Sequence, residues 1–91
     1  MNTILISYDL VHAPESDYIN LAKHLKSYSS WAKPLESFWL VKTNEASSDV
    51  QNAVRQHVHA DDKVIAIDVT GKAAAWCNLS SDLDNWIINN L

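Results

Sequence analysis

The chain has 91 residues, 47% of them hydrophobic, with four tryptophans, two prolines and one glycine. That length bounds it to one domain with a thin core, because a domain of this size hides only about 60–65% of the surface its unfolded chain exposes. Seven Lys and Arg against eleven Asp and Glu give a net charge of -4, which speaks against a protein that binds polyanions by bulk electrostatics, since such proteins depend on a basic stripe that releases counterions from phosphates.

Residues 3–11 predict the first strand. Ile4, Ile6, Tyr8 and Leu10 alternate with Thr3, Leu5, Ser7, Asp9 and Val11, so one face is apolar or aromatic and the other mixed, as in a sheet packed on helices on one side. No basic region precedes this run and Asp9 interrupts it, so a signal peptide is not expected. Nothing approaches ~20 consecutive apolar residues, so neither is a membrane span. Pro14 marks the turn after the strand. A helix is predicted over 16–29, with Tyr18, Leu21, Ala22, Leu25 and Tyr28 on one stripe. Glu15 and Asp17 stand at its positive end, Lys23 and Lys26 towards its negative end.

Trp31 and Pro34 are expected in the next connection. Residues 35–43 read as extended, with Phe38 and Leu40 facing one way and Trp39 and Val41 the other. A division at Pro34 or Ser37 would make residues 33–43 two strands instead of one. Ser48 and Gln51 have capping-box spacing and open a helix that carries Val50, Ala53, Val54 and Val58 inward. Residues 63–70 predict a strand rich in Val64, Ile65, Ile67 and Val69. Gly71, the only glycine, suits a turn position of positive φ. Residues 73–78 form a turn or short helical piece around Trp76. Ser80 or Ser81 then caps a last helix with Leu83, Trp86 and Ile87 inward. The order implies an α+β fold: a ferredoxin-like βαββαβ core, an antiparallel sheet with two helices on one face, plus a C-terminal helix, as one domain over 1–91. Cys77 is the sole cysteine, which leaves no intrachain disulfide or cysteine zinc site and suits the cytoplasm.

Asp9 is the foremost candidate for chemistry. A carboxylate at a strand end can hold Mg²⁺, which needs only one or two protein carboxylates besides its waters and a substrate phosphate; equally, it can bond backbone amides in the following loop. His12 stands close enough in sequence to shuttle a proton, or is a solvated loop histidine. His57, His59, Asp61 and Asp62 form the densest set of ligand types, able to share a metal if extended and equally suited to a helix end and a turn. Trp31, Trp39 and Trp76 can stack bases or anchor an interface. Without evident basic neighbours the interface reading is preferred, and Trp39, Val41 and Trp76 are its expected residues.

Tyr8-Asp9, Leu21-Ala22-Lys23-His24-Leu25 and Ser37-Phe38 resemble the second CRISPR-associated adaptation family, here Cas-two. A closer resemblance is to the SinR family of small bacterial proteins, carried in order by residues 6–10, 35–43, 62–64, 69–71, Ala75-Trp76 and Trp86-Ile87. It covers nearly the whole chain. The resemblance implies a ferredoxin-like homodimer. For Cas-two it also implies nucleic-acid association and, in some members, metal-dependent phosphodiester cleavage through the aspartate matching Asp9. Two departures matter. Tyr18, Trp31 and Lys33 stand where Cas-two chains typically carry arginines, and the chain is predicted to end in a helix rather than in a strand that pairs across the dimer. The expected function is therefore a homodimeric, non-catalytic interaction module with another protein as a possible partner. The alternative is a Mg²⁺-dependent nuclease acting on RNA or DNA through Asp9, and a small-molecule-binding regulator is a third reading.

Overall fold

The computed structural model describes residues 1–11 and 14–91. The elements run β1 (Asn2–Asp9), α1 (Glu15–Leu25), β2 (Ser30–Leu35), β3 (Phe38–Thr43), α2 (Ser47–Arg55), β4 (Lys63–Asp68) and α3 (Ser81–Asn90). The four strands form one sheet in the order β2-β3-β1-β4, and every neighbouring pair is antiparallel. Two connections therefore step over a strand. β1 and β2 run parallel with β3 between them and are joined through α1. β3 and β4 run parallel with β1 between them and are joined through α2.

β1 is an inner strand. It pairs with β3 from Asn2↔Thr43 to Ser7↔Phe38, and with β4 from Ile4↔Asp68 to Asp9↔Lys63. The alternation in its sequence decides its faces: Ile4 and Ile6 are fully buried, Leu10 nearly so and Tyr8 half-buried. The register sets Val41 beside Ile4 and Trp39 beside Ile6, hence on the same face. Leu21 and Leu25 of α1 and Val50 and Val54 of α2 close over these residues to make the core. Each such side chain taken from water contributes about 1.5–3 kcal/mol.

α3 lies on the opposite face of the sheet, reaching from β2 to the start of β1. Trp86 Nε1 donates to Ser30 Oγ at 2.9 Å, Thr3 Oγ1 donates to the Asn90 carbonyl, and Ile87 is buried. The β4 half of that face stays open, leaving Ile65 53% and Ile67 44% exposed.

Several boundaries differ from the sequence expectation, each for a local reason. Trp31 and Pro34 belong to β2 and not to a connection. Proline is tolerated there because β2 is an edge strand and its register with β3 shifts between Ala32 and Leu35. The extended segment divides at Ser37, whose φ of 53° turns the chain into β3. α2 begins at Ser47 with Ala46 as its N-cap and no side-chain cap, so Ser48 already lies within the helix and the expected capping box does not form. At α3 the cap is Ser80, whose hydroxyl accepts from Leu83 N at 3.3 Å. Among the described residues no helix is long and apolar enough to cross a membrane.

Candidate functional site

Asp9 ends β1 opposite Lys63 and is exposed. By alternation it shares the sheet face of Leu5 and Ser7, away from α1 and α2. Its carboxylate makes no hydrogen bond or ion pair among the described residues. The loop-tying role open to Asp9 falls instead to Asp62. Its Oδ1 accepts from Val11 N and its Oδ2 from His59 N, both at 2.8 Å, so one carboxylate fastens the exit from β1 to the turn before β4. His12 lies outside the described residues. A solvent-open carboxylate at a strand end suits a hydrated Mg²⁺, yet among the described residues no group of three or more His, Cys, Asp or Glu side chains is placed to hold a metal ion.

Behind Asp9 the chain is fixed by an aromatic pair. Trp39 Nε1 donates to Tyr8 Oη at 3.0 Å. Burial pushes the Tyr8 phenol above its ordinary 10.0, and the Trp39 hydrogen bond pulls it partly back, so Tyr8 is a neutral acceptor at neutral pH. Trp39 and Val41 are 1% and 0% exposed. Their expected place at a dimer interface is thereby corrected: they face α1 and α2 and fill the core of a single chain. The tryptophans also have the basic neighbours that the sequence did not make evident. Trp31 tilts against Trp39 with centroids 5.5 Å apart, Lys26 Nζ stands 5.5 Å from the Trp31 ring and Lys33 Nζ 5.5 Å from the Trp39 ring. These distances are within cation–π reach. They arise because β2, unlike the expected connection, lies flat beside β3.

The ligand-type cluster at 57–62 is dispersed by the fold. His57 stacks on His24 of α1 with centroids 4.5 Å apart and planes 25° apart. His59 Nε2 meets Asp17 Oδ2 at 2.9 Å, an exposed pair between the turn and α1. Asp62 is taken by the two backbone amides. The His24 Nε2 is buried with no hydrogen-bond partner among the described residues. Burial, and then the like charge of His57, hold the His24 imidazole below its ordinary 6.5, with Glu45 acting the other way. These contacts join α1 to the end of α2, and they rest on helix packing that no spacing in the sequence reveals.

Trp76 lies on the other side of the sheet. Residues 72–79 cross that face as an irregular strap between β4 and α3. Gly71, at φ 69°, turns into it and donates its N–H to the Leu91 carbonyl at 3.0 Å. Trp76 is 38% exposed, and its Nε1 donates to Asp84 Oδ1 at 2.6 Å. Strap, sheet and α3 together enclose an apolar groove of about 450 Å³, with Leu5, Phe38, Leu40 and Ile87 among its walls. No periodicity in the sequence marks it, and residues 73–78 read only as a turn or short helical piece around Trp76.

The fold and these sites define a small α+β domain with one closed sheet face and one partly open. No protein-family model matches the chain, and no solved structure matches it.

Proposed function

We propose that the chain is a homodimeric, non-catalytic interaction module of the Cas-two-like, SinR-family kind, with a ferredoxin-like fold. The fold reading is supported by the strand order taken from the other edge, β4-β1-β3-β2, and by the two helical connections that each join parallel strands across an intervening one. The observation that carries the module reading is β4. Among the described residues it is paired with a strand on one side only, and it presents Ile65 and Ile67 outward on the uncovered half of the sheet. An open edge beside exposed isoleucines is a template for another chain, and a twofold partner would present the same strip in return. The lone Cys77, with no disulfide to form within the chain, suits a cytoplasmic setting.

Light scattering at micromolar concentration tests the dimer. A dimeric mass is expected, falling to the monomer in Ile67→Lys while the circular dichroism stays unchanged. A monomeric wild type contradicts the reading. Capture from the source cells should then recover a protein partner rather than nucleic acid.

A second reading, a metal-dependent phosphodiesterase, is favoured by one observation: among the described residues no amide donates to the Asp9 carboxylate. A dimer could bring two such carboxylates together around Mg²⁺. Mg²⁺- or Mn²⁺-dependent cleavage of RNA or DNA that disappears in Asp9→Ala would support it. Equal residual cleavage in both proteins would sink it.

A further inference from the structure

We propose that the groove beneath the 72–79 strap is a binding site for a single-tailed carboxylate amphiphile, a medium-chain fatty acid in chemical terms. The groove is concave and preformed, and its volume of about 450 Å³ lies within the usual range of small-molecule sites. Its walls are aliphatic and aromatic: Leu5, Phe38 and Leu40 from the sheet, Ile87 from α3, Leu79 from the strap. Nucleotides and sugars need several converging donors and acceptors, and this lining does not supply them. Among the described residues, Lys72 is the one charged side chain that lines it.

That lysine selects the head group. The chain as a whole is acidic, at -4, and Asp68 stands within electrostatic reach of Lys72, yet the charged side chain on the groove wall itself is a lysine. A lysine is a point charge, whereas phosphate dianions favour arginine forks or nests of backbone amides. The only arginine, Arg55, ends α2 and does not line the groove. A small monoanion on an apolar tail matches this set.

The strap has the build of a cover. Among the described residues, no backbone hydrogen bond is made by residues 73–79. The strap is held instead by the Gly71–Leu91 bond at one end, the Trp76–Asp84 bond in the middle and the Ser80 cap at the other. Residues 72–78 are all exposed. Segments so sparsely bonded open at little cost, and a tail entering beneath would give Ala73, Ala74, Ala75 and Trp76 an apolar surface to close on. The groove shares no residue with the Ile65–Ile67 strip, so its occupancy and the dimer stand or fall separately.

Cys77 lines the groove as a free thiol and reports on it. Its reaction with a thiol reagent should slow by about tenfold when decanoate is present at ten times its Kd. Across hexanoate, octanoate and decanoate, each added methylene should tighten binding by about fourfold. Lys72→Glu should lose decanoate but keep decanol, and Ala75→Trp, which fills the groove from the exposed strap, should lose both. An unchanged Cys77 rate with decanoate below its micelle concentration overturns the proposal, as does equal decanoate binding by wild type and Lys72→Glu. Protection of Cys77 that rises with protein concentration alone assigns the groove to a second copy and likewise overturns it.

Discussion

His24 and Gly71 show how single residues set measurable behaviour. The His24 imidazole is held below its ordinary 6.5 in the folded chain by burial and by His57. As pH falls, the unfolded chain therefore takes up this proton first. The stability linked to neutral His24 is complete above about 6.5 and is lost as pH falls through the folded value. Urea midpoints should drop between pH 7.5 and pH 5, and His24→Gln should flatten that dependence; parallel pH curves for the two proteins would refute the assignment. Gly71 makes a complementary point. A Cβ there would meet nothing within 4 Å, so its need for glycine is purely one of backbone angle. Gly71→Ala should cost about 1 kcal/mol, read as a lower urea midpoint, and Gly71→Asn should cost less because asparagine tolerates the left-handed region.

Among the elements, helix starts give the clearest contrast between sequence and structure. Ser80 caps α3 through its hydroxyl, so Ser80→Ala should lose about 1 kcal/mol. Ser48 has the better capping motif but lies inside α2, so Ser48→Ala should leave thermal stability unchanged or slightly raised. The motif failed because Thr43 and Glu45 fix the approach to α2, with Glu45 N donating to Thr43 Oγ1 at 3.1 Å, and the helix begins before the motif is reached. What the sequence revealed were the elements with a strong period. The alternation of β1 and the stripes of α1 and α2 foretold the buried face, except that Tyr18 is exposed and α1 ends at Leu25, before Tyr28, and the opposite directions of Trp39 and Phe38 were legible too. Which of those directions is the core was not, because both faces of β3 are apolar and only α1 and α2 decide between them. β2 was hidden by Pro34, which reads as a break unless the strand is known to lie at an edge. The Asp62 clasp and the His24–His57 stack were hidden for another reason: their partners lie 51 and 33 residues away in the chain, beyond any local pattern.

The whole molecule is organised by the pairing of β1 with both β3 and β4. Both partners come late: residues 38–43 and 63–68 against 2–9. Pairings of such sequence separation carry a loop-closure cost before they yield contacts. In pulse-labelled hydrogen exchange, the amides of β1, β3 and β4 should gain protection together; early protection of β1 alone would contradict this. The same arrangement has a consequence during synthesis. β1 leaves the ribosome first and must wait, with Ile4 and Ile6 bare, for some sixty further residues to follow before its second edge is covered. A chain stopped before residue 63 would hold β1, the strand of Ile4 and Ile6, with one side unpaired, a species prone to cling to its neighbours. For this protein, the speed of translation between β3 and β4 is thus a determinant of yield, and slowing it there should send more of the chain into aggregates than slowing it after residue 68.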